Sequence, residues 1–505
     1  MDPTYLTATQ SAEAVRRREI GVLELLDHHI ARVERLDGPI NAVVVRDFER
    51  ARDRARTLDQ AKDREAPLFG VPMTVKESFD IEGLPTTRGH LSAKDHPVRN
   101  SCIAIRRLEA AGAVIFGKTN VPVDLADWQS YNPVYGTTCN PWDLNRTPGG
   151  SSGGSAAALA AGFSALELGS DIGGSIRVPA HYCGVFGHKP TWALCSNYTD
   201  YETSPAAATD IAVFGPMARS ANDLAIAMDI LIGPDPDETG LAYVLPKPRV
   251  CDLKALRVAV WSHQPGQETD AETVAAIEAM ADELERQGAT IDRTARPAFD
   301  PTEAFQLYLQ ALDTAWSARM TDAVLESKRK RLATLRPDEM DADAAMARAT
   351  DMPHRIWLGM NERRMKLRRL WSAFFRDHDV LLCPNIATSA LPHMQEGASV
   401  MSGGLPVDAQ APGTKPSYIR TGPVWERTLN VNGRKIAYND MLFWPGLIAG
   451  FHLPATVVPM GLTEGGLPMG VQVVGPIHGD RMTLMAASLF ERAGFGFRPP
   501  PMTWA

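Results

Sequence analysis

Between residues 66 and 162 short β-prone apolar runs alternate with helix-like stretches, and no other feature of the chain limits its fold so strongly. Residues 66–81, APLFGVPMTVKESFDI, are apolar pieces broken by Gly and Pro, a pattern of strands and turns. Residues 101–111 have helical spacing, 113–116 (AVIF) read as a strand, and Gly117 is expected to begin a loop. A Gly-, Pro-, Asn- and Ser-rich stretch, 128–154, then opens into the alanine-rich helix SAAALAAG. Such alternation predicts an α/β sheet with helices on both faces, built as one continuous domain. Ahead of it, residues 7–60 read as a helical segment. Thr7–Gln10 has capping-box form, and Leu23, Leu26, His29, Ile30 and Val33 recur at helical spacing. Residues 262–380 are mostly helical and charged, and 385–437 carry many Gly, Pro and Ser with few periodic apolars. Loops that long inside compact domains tend to be functional coverings or disordered, so 385–437 is a candidate lid or a surface loop. LPATVVPMG and LPMGVQVVG read as buried strands, with a closing helix over 480–492.

Composition excludes several functions. At 505 residues the chain can bury a large core without disulfides or metals. Lys plus Arg number 52 against 60 Asp plus Glu, which argues against a nucleic-acid-binding surface. The six cysteines include no C-x-x-C and no zinc spacing, so no metal site is expected, and scattered thiols fit a reducing cytosol. The first residues lack a signal-peptide core, and no apolar run reaches the ~18 residues of a membrane-spanning helix. A cytoplasmic location is expected.

Three segments carry candidate chemistry. PGGSSGGSAAALAAG, 148–162, serves as a flexible turn before a helix or as an anion cradle, although it lacks the Gly-Lys-Ser/Thr of a phosphate loop. In GSDIGGSIRVPAHYCGVFGHKP, 169–190, Ser175 follows two glycines, where backbone N–H groups can crowd around one point as an oxyanion requires. It is not the G-x-S-x-G elbow, and a glycine-rich turn explains the segment equally well. Lys76, in GVPMTVKESFD, follows apolar residues of an expected buried strand. It is either a strand-end lysine reaching solvent or a base whose pKa burial depresses.

Together the Gly-Val-Pro-x-x-Val-Lys, Gly-Gly-Ser-Ser-Gly-Gly-Ser and Gly-Ser-Asp-Ile-Gly-Gly-Ser-Ile-Arg runs resemble the amidase signature family, in its order and at its intervals. The likeness runs from the N-terminal helices to LPMGVQVVG and is loose over 240–450. It implies a single large α/β/α domain over 1–505 with a central mixed twisted sheet. The catalytic core would occupy 60–240, and 241–450 would be a variable helical and loop region covering the site. The resemblance makes Ser175 the nucleophile, Ser151 the bridging serine after a cis peptide at Gly150, and Lys76 the base. It makes the backbone N–H groups of Ile172, Gly173, Gly174 and Ser175 the oxyanion hole. Ser152 would hydrogen-bond Lys76, and Asp171 and Arg177 would brace the loop. The reaction would be two-step acyl transfer to water, with no cofactor.

One departure bears on substrate. After Lys118-Thr-Asn120, this chain has Val-Pro-Val-Asp-Leu-Ala-Asp-Trp-Gln where relatives of the glutamyl-tRNA amidotransferase A subunit carry Met-Asp-Glu-Phe. A differently shaped pocket is expected, with Trp128, Gln129, Tyr131, Tyr438, Phe443 and Trp444 as candidate lining. Aromatic walls suit apolar or aryl amides, and the same machinery serves anilides, carbamates and esters. The alternative is an A-type subunit of a tRNA-dependent glutamine amidotransferase. A small-molecule amide is the expected partner, with no nucleic acid or membrane, and a homodimer is the candidate assembly. His181, His188 and His452 are candidate bases but fall in no hydrolase or metal motif, and most of them are expected to be structural.

Overall fold

The computed structural model describes residues 2–196, 207–317, 320–394 and 427–502. Its centre is a sheet of 11 strands. From edge to edge these are Val43–Arg46, Val114–Thr119, Pro72–Lys76, Leu166–Asp171, Val213–Ala218, Phe186–Lys189, Ala455–Leu462, Pro468–Val474, Val380–Pro384, Arg257–Val260 and Thr290–Asp292. Pro72–Lys76 runs parallel to both neighbours, whereas Leu166–Asp171 and Val213–Ala218 are antiparallel, so the sheet is mixed.

Strand alternation explains why helices cover both faces, since successive side chains point to opposite sides. In Val114–Thr119, Val114 and Phe116 join a core with the helices Val22–Ile40 and Gly153–Ala160. Ile115, between them, joins a second core with the helices Ile103–Ala110 and Ala221–Leu231. The same split recurs at the far side of the sheet, where Val380 and Leu382 face one core and Leu381 and Cys383 the other.

The first helix, Ala8–Arg16, begins with the expected capping box: the Gln10 amide N–H donates to Thr7 Oγ1 at 3.1 Å and the Thr7 amide to Gln10 Oε1 at 2.9 Å. Two local expectations need correction. The helical segment 7–60 is interrupted by the edge strand Val43–Arg46, whose three consecutive valines favour extended backbone. Gly117 begins no loop; it lies inside a strand that continues to Thr119. There it faces Arg46, and a Cβ would come within 2.6 Å of the Val45 carbonyl.

The region 241–450 contains more than helices and loops. Arg257–Val260, Thr290–Asp292 and Val380–Pro384 extend the central sheet, and Thr428–Val431 pairs with Arg434–Ala437 in a separate ribbon. Most of the candidate lid, residues 395–426, lies outside the described residues. Among the described residues no helix is long and apolar enough to cross a membrane.

Candidate active site

Three chain segments meet at the end of the parallel strands. Pro72–Lys76 ends with its lysine pointing inward, fully buried. Beside it Leu166–Asp171 ends in the loop that carries Ser175. The glycine-rich segment before helix Gly153–Ala160 brings Ser151 between them, with a cis peptide at Gly150–Ser151. The Ser152 amide donates to the Ser175 carbonyl at 3.1 Å and ties the two loops together.

Lys76 Nζ lies 2.7 Å from Ser151 Oγ and 2.8 Å from Ser170 Oγ. Burial lowers its pKa from 10.5 to about 7, and only the Asp171 carboxylate opposes that shift. The ammonium loses its hydration in this site, so the neutral amine is favoured. Ser175 keeps 7% exposure against 0% for Lys76, so a ligand reaches the serine but not the lysine.

Asp171 organises the Ser175 loop. It accepts from the amides of Gly174 at 2.8 Å and Ile176 at 3.1 Å, and from Arg177 Nη2 at 2.8 Å and Nε at 3.0 Å. Burial alone would raise its pKa, but the Arg177 charge and hydrogen bonds outweigh it and hold the carboxyl near 2. Arg177 is buried as well and spends Nη1 on the Pro445 carbonyl and Gln472 Oε1, both at 3.0 Å. A buried pair satisfied this fully fixes the loop, and losing one partner would strand the other charge.

The loop also explains its glycines. Gly174 has φ +103°, and a Cβ on Gly173 would lie 2.6 Å from Tyr308 Oη. Tyr308 Oη donates to the Ile172 carbonyl at 3.4 Å, and Trp128 Nε1 donates to the Gly173 carbonyl at 3.1 Å. The Gly174 N–H, expected in the oxyanion hole, is instead committed to Asp171. Ser152 likewise departs from expectation. Its hydroxyl exchanges 3.4 Å contacts with the Ser170 backbone, and Ser170 rather than Ser152 supplies the hydroxyl beside Lys76. Nothing in the sequence singles out Ser170 within the Gly-Ser-Asp run, because only the strand's placement next to Lys76 turns it inward.

Ser175 opens on two cavities. One of about 520 Å³ is walled by Leu125, Trp128, Leu312, Trp316, Tyr438 and Leu442 among others. The other, about 120 Å³, is bounded by Ser151, Ser170, Arg88, Phe79 and Phe214 among others. Of the six candidate lining residues, Trp128 and Tyr438 border the larger cavity, with ring centroids 5.2 Å apart. The other four candidate lining residues sit elsewhere. Gln129 clasps the backbone of Met394. Tyr131 Oη donates to Asp127 Oδ2 at 2.9 Å and accepts from Arg427 at 2.8 Å. Phe443 packs edge-on against Phe305, and Trp444 Nε1 donates to Thr269 Oγ1 at 2.9 Å. Tyr438 lies on a preceding 3-10 turn, Tyr438–Leu442, whereas Phe443 and Trp444 open the buried helix Phe443–Ala449 and line neither cavity. Trp316, Leu312 and Tyr308, on helix Pro301–Ser317, go unnoticed in the sequence because nothing local distinguishes them from core residues of an amphipathic helix.

The three histidines are structural by their contacts. His181 lies between Gly470 and the Thr388 carbonyl, His188 between Thr456 and Asp480, and His452 between Asp210 and Arg368. None lines either cavity.

Comparison with known proteins agrees with this architecture. The Amidase family model matches residues 24–407. The chain is 31% identical to the A subunit of the glutamyl-tRNA(Gln) amidotransferase of Roseiflexus castenholzii, over 97% of this chain and 96% of that protein. It is 30% identical to the indoleacetamide hydrolase of Bradyrhizobium diazoefficiens, over 97% of this chain and 86% of that protein. A solved structure of 6-aminohexanoate cyclic dimer hydrolase with its substrate superposes with a TM-score of 0.74 at 26% identity, covering 99% of each chain. With the family model matching most of its length and relatives aligned nearly end to end, the chain belongs to the amidase signature family of amide hydrolases.

Proposed function

We propose that Ser175 is the nucleophile of this hydrolase, Ser151 its proton relay and Lys76 its base. The observation that carries the reading is a fully buried lysine, with its pKa lowered to about 7, lying 2.7 Å from Ser151 Oγ. Neutral Lys76 accepts the Ser151 proton as Ser151 accepts that of Ser175, whose Oγ attacks the amide carbon. The oxyanion forms against the amides of Ile172, Gly173 and Ser175. In a trans peptide the N–H points opposite the carbonyl, so Tyr308 pinning the Ile172 carbonyl turns the Gly173 N–H to the other edge. Trp128 and Asp171 clamp the next peptide from its two ends. The C–N bond then breaks, and the proton held on Lys76 passes through Ser151 to the departing nitrogen. Water attacks the acyl-enzyme by the same relay and regenerates Ser175.

The substrate class is apolar or aryl amides. Leu125, Trp128, Leu312, Trp316, Tyr438 and Leu442 wall the larger cavity, and each 100 Å² of apolar surface buried there contributes about 2.5 kcal/mol. Similarity to a protein named for indoleacetamide supports the same class. Leu125 and Trp128 belong to the segment that departs from the amidotransferase pattern, and helix Pro301–Ser317 fits a covering role for part of 241–450. Six unpaired cysteines, five of them buried, suit a reducing compartment, and we place the enzyme in the cytoplasm. The similarity to an amidotransferase component favours one second reading, in which glutamine is hydrolysed only with partner subunits, ATP and charged tRNA.

Ser175→Ala tests the assignment. Turnover of a panel of amides should vanish while the fold is retained, and stoichiometric labelling of the alanine variant by a fluorophosphonate probe would refute it.

A further inference from the structure

We propose that the two cavities divide the substrate at its carbonyl, with a bulky apolar acyl group in the larger and only a small amine in the smaller. This inference rests on the Ser175–Ser151–Lys76 reading. Ser175 and Ile172 border both cavities, and Leu125 and Trp316 form the rest of the wall between them. Ser151 borders the smaller cavity and not the larger. An amide nitrogen must gain a proton as its bond to carbon breaks, and Ser151 delivers it, so the nitrogen lies on the Ser151 side. The acyl group, left as an ester on Ser175 Oγ, then extends into the larger cavity.

Volume sets the limit on each part. A cavity of about 150 Å³ takes a benzene ring of six heavy atoms, so one of about 120 Å³ takes about five and one of about 520 Å³ about twenty. Ammonia or a short alkylamine fits the smaller space, whereas an aniline or benzylamine exceeds it. Phe79 and Phe214 form part of its wall as an edge-on pair, with ring centroids 4.9 Å apart. The second half of the reaction makes the same demand. The attacking water must also reach Ser151, so it enters the space the amine has vacated. A small amine clears that space, while the acyl group stays anchored by its apolar contacts. The favoured substrates are therefore primary or short N-alkyl amides of apolar acids, and anilides, which the sequence admits, are poor ones.

The test uses two isomers that carry the same atoms with the benzyl bulk on opposite sides of the carbonyl, 3-phenylpropanamide and N-benzylacetamide. The full-length enzyme should favour 3-phenylpropanamide in kcat/KM by at least about tenfold, the lower range for a group that does not fit its pocket. Phe214→Ala should narrow that ratio by raising N-benzylacetamide turnover, and the milder Phe214→Leu should shift it the same way by less. Equal or reversed preference in the wild type, or a ratio unmoved in a folded Phe214 variant, overturns the division of the substrate and leaves the Ser175 assignment standing. A folded enzyme that cleaves neither isomer nor their esters overturns the Ser175 reading and this inference with it.

Discussion

Lowering the pH should silence this enzyme through one buried amine. Lys76 has its pKa brought down by burial to about 7, and a base works only unprotonated, so activity rises with pH through that value. With a midpoint near 7 the neutral fraction is about 10% at pH 6 and about 90% at pH 8. Below the midpoint kcat/KM for an amide should therefore fall about tenfold per pH unit, with unit slope. The assay is ammonia release from 3-phenylpropanamide between pH 5 and 9, in buffers of constant ionic strength. Burial also brings Asp37 to about 7 and Glu167 to about 8, and a second buried amine competes most directly for the assignment. Lys189 is also fully buried and also lowered to about 7, with Nζ donating to the Pro190 and Leu453 carbonyls at 2.9 and 2.8 Å. It lines neither cavity, so Lys189→Met should leave the limb in place, as should substitution of His181, His188 or His452 one at a time. A folded variant at any of these four positions that removed the limb would refute the reasoning, as would a wild-type midpoint above 9. Stability carries the same signature. Between about pH 8 and 9 the unfolded chain holds protons on Lys76 and Lys189 that the folded chain lacks, so resistance to urea should rise with pH across that window, and the buried thiols, whose pKa values burial raises, oppose the rise above it.

Lys76→Ala should cost amide cleavage nearly as much as Ser175→Ala, because residues of one relay act as a unit. It should cost ester cleavage less, since an alkoxide needs its proton less than an amine does; equal losses on matched substrates would count against a leaving-group role. Trp128→Phe keeps the aromatic wall and deletes the Nε1–H bond to the Gly173 carbonyl, worth about 1 kcal/mol or roughly a fivefold change. That loss should appear in kcat with KM nearly unchanged, and a change confined to KM would make Trp128 a wall residue alone.

The sequence alone determines the order of elements, because capping, periodicity and turn chemistry are local. The capping box at Thr7, the helix after the glycine-rich segment and the two C-terminal strands follow from residues a few positions apart. It also singles out Lys76, Ser151 and Ser175, since three separated motifs at set intervals are readable without coordinates. Asp171 and Arg177 are legible for the same reason, lying within one of those motifs. The tertiary structure alone decides what those residues touch. Parallel pairing of Pro72–Lys76 with Leu166–Asp171 brings Ser170 rather than Ser152 to Lys76. Tyr438, on a 3-10 turn, reaches the larger cavity, while Phe443 and Trp444, on the buried helix that follows, do not, although composition ranks the three together. The Gly174 amide looks free in a glycine run and is taken by a carboxylate three residues earlier. Which cavity Ser151 faces depends on Trp316 and Phe214, residues far apart in the chain that only the packed sheet and its covering helix bring to one serine.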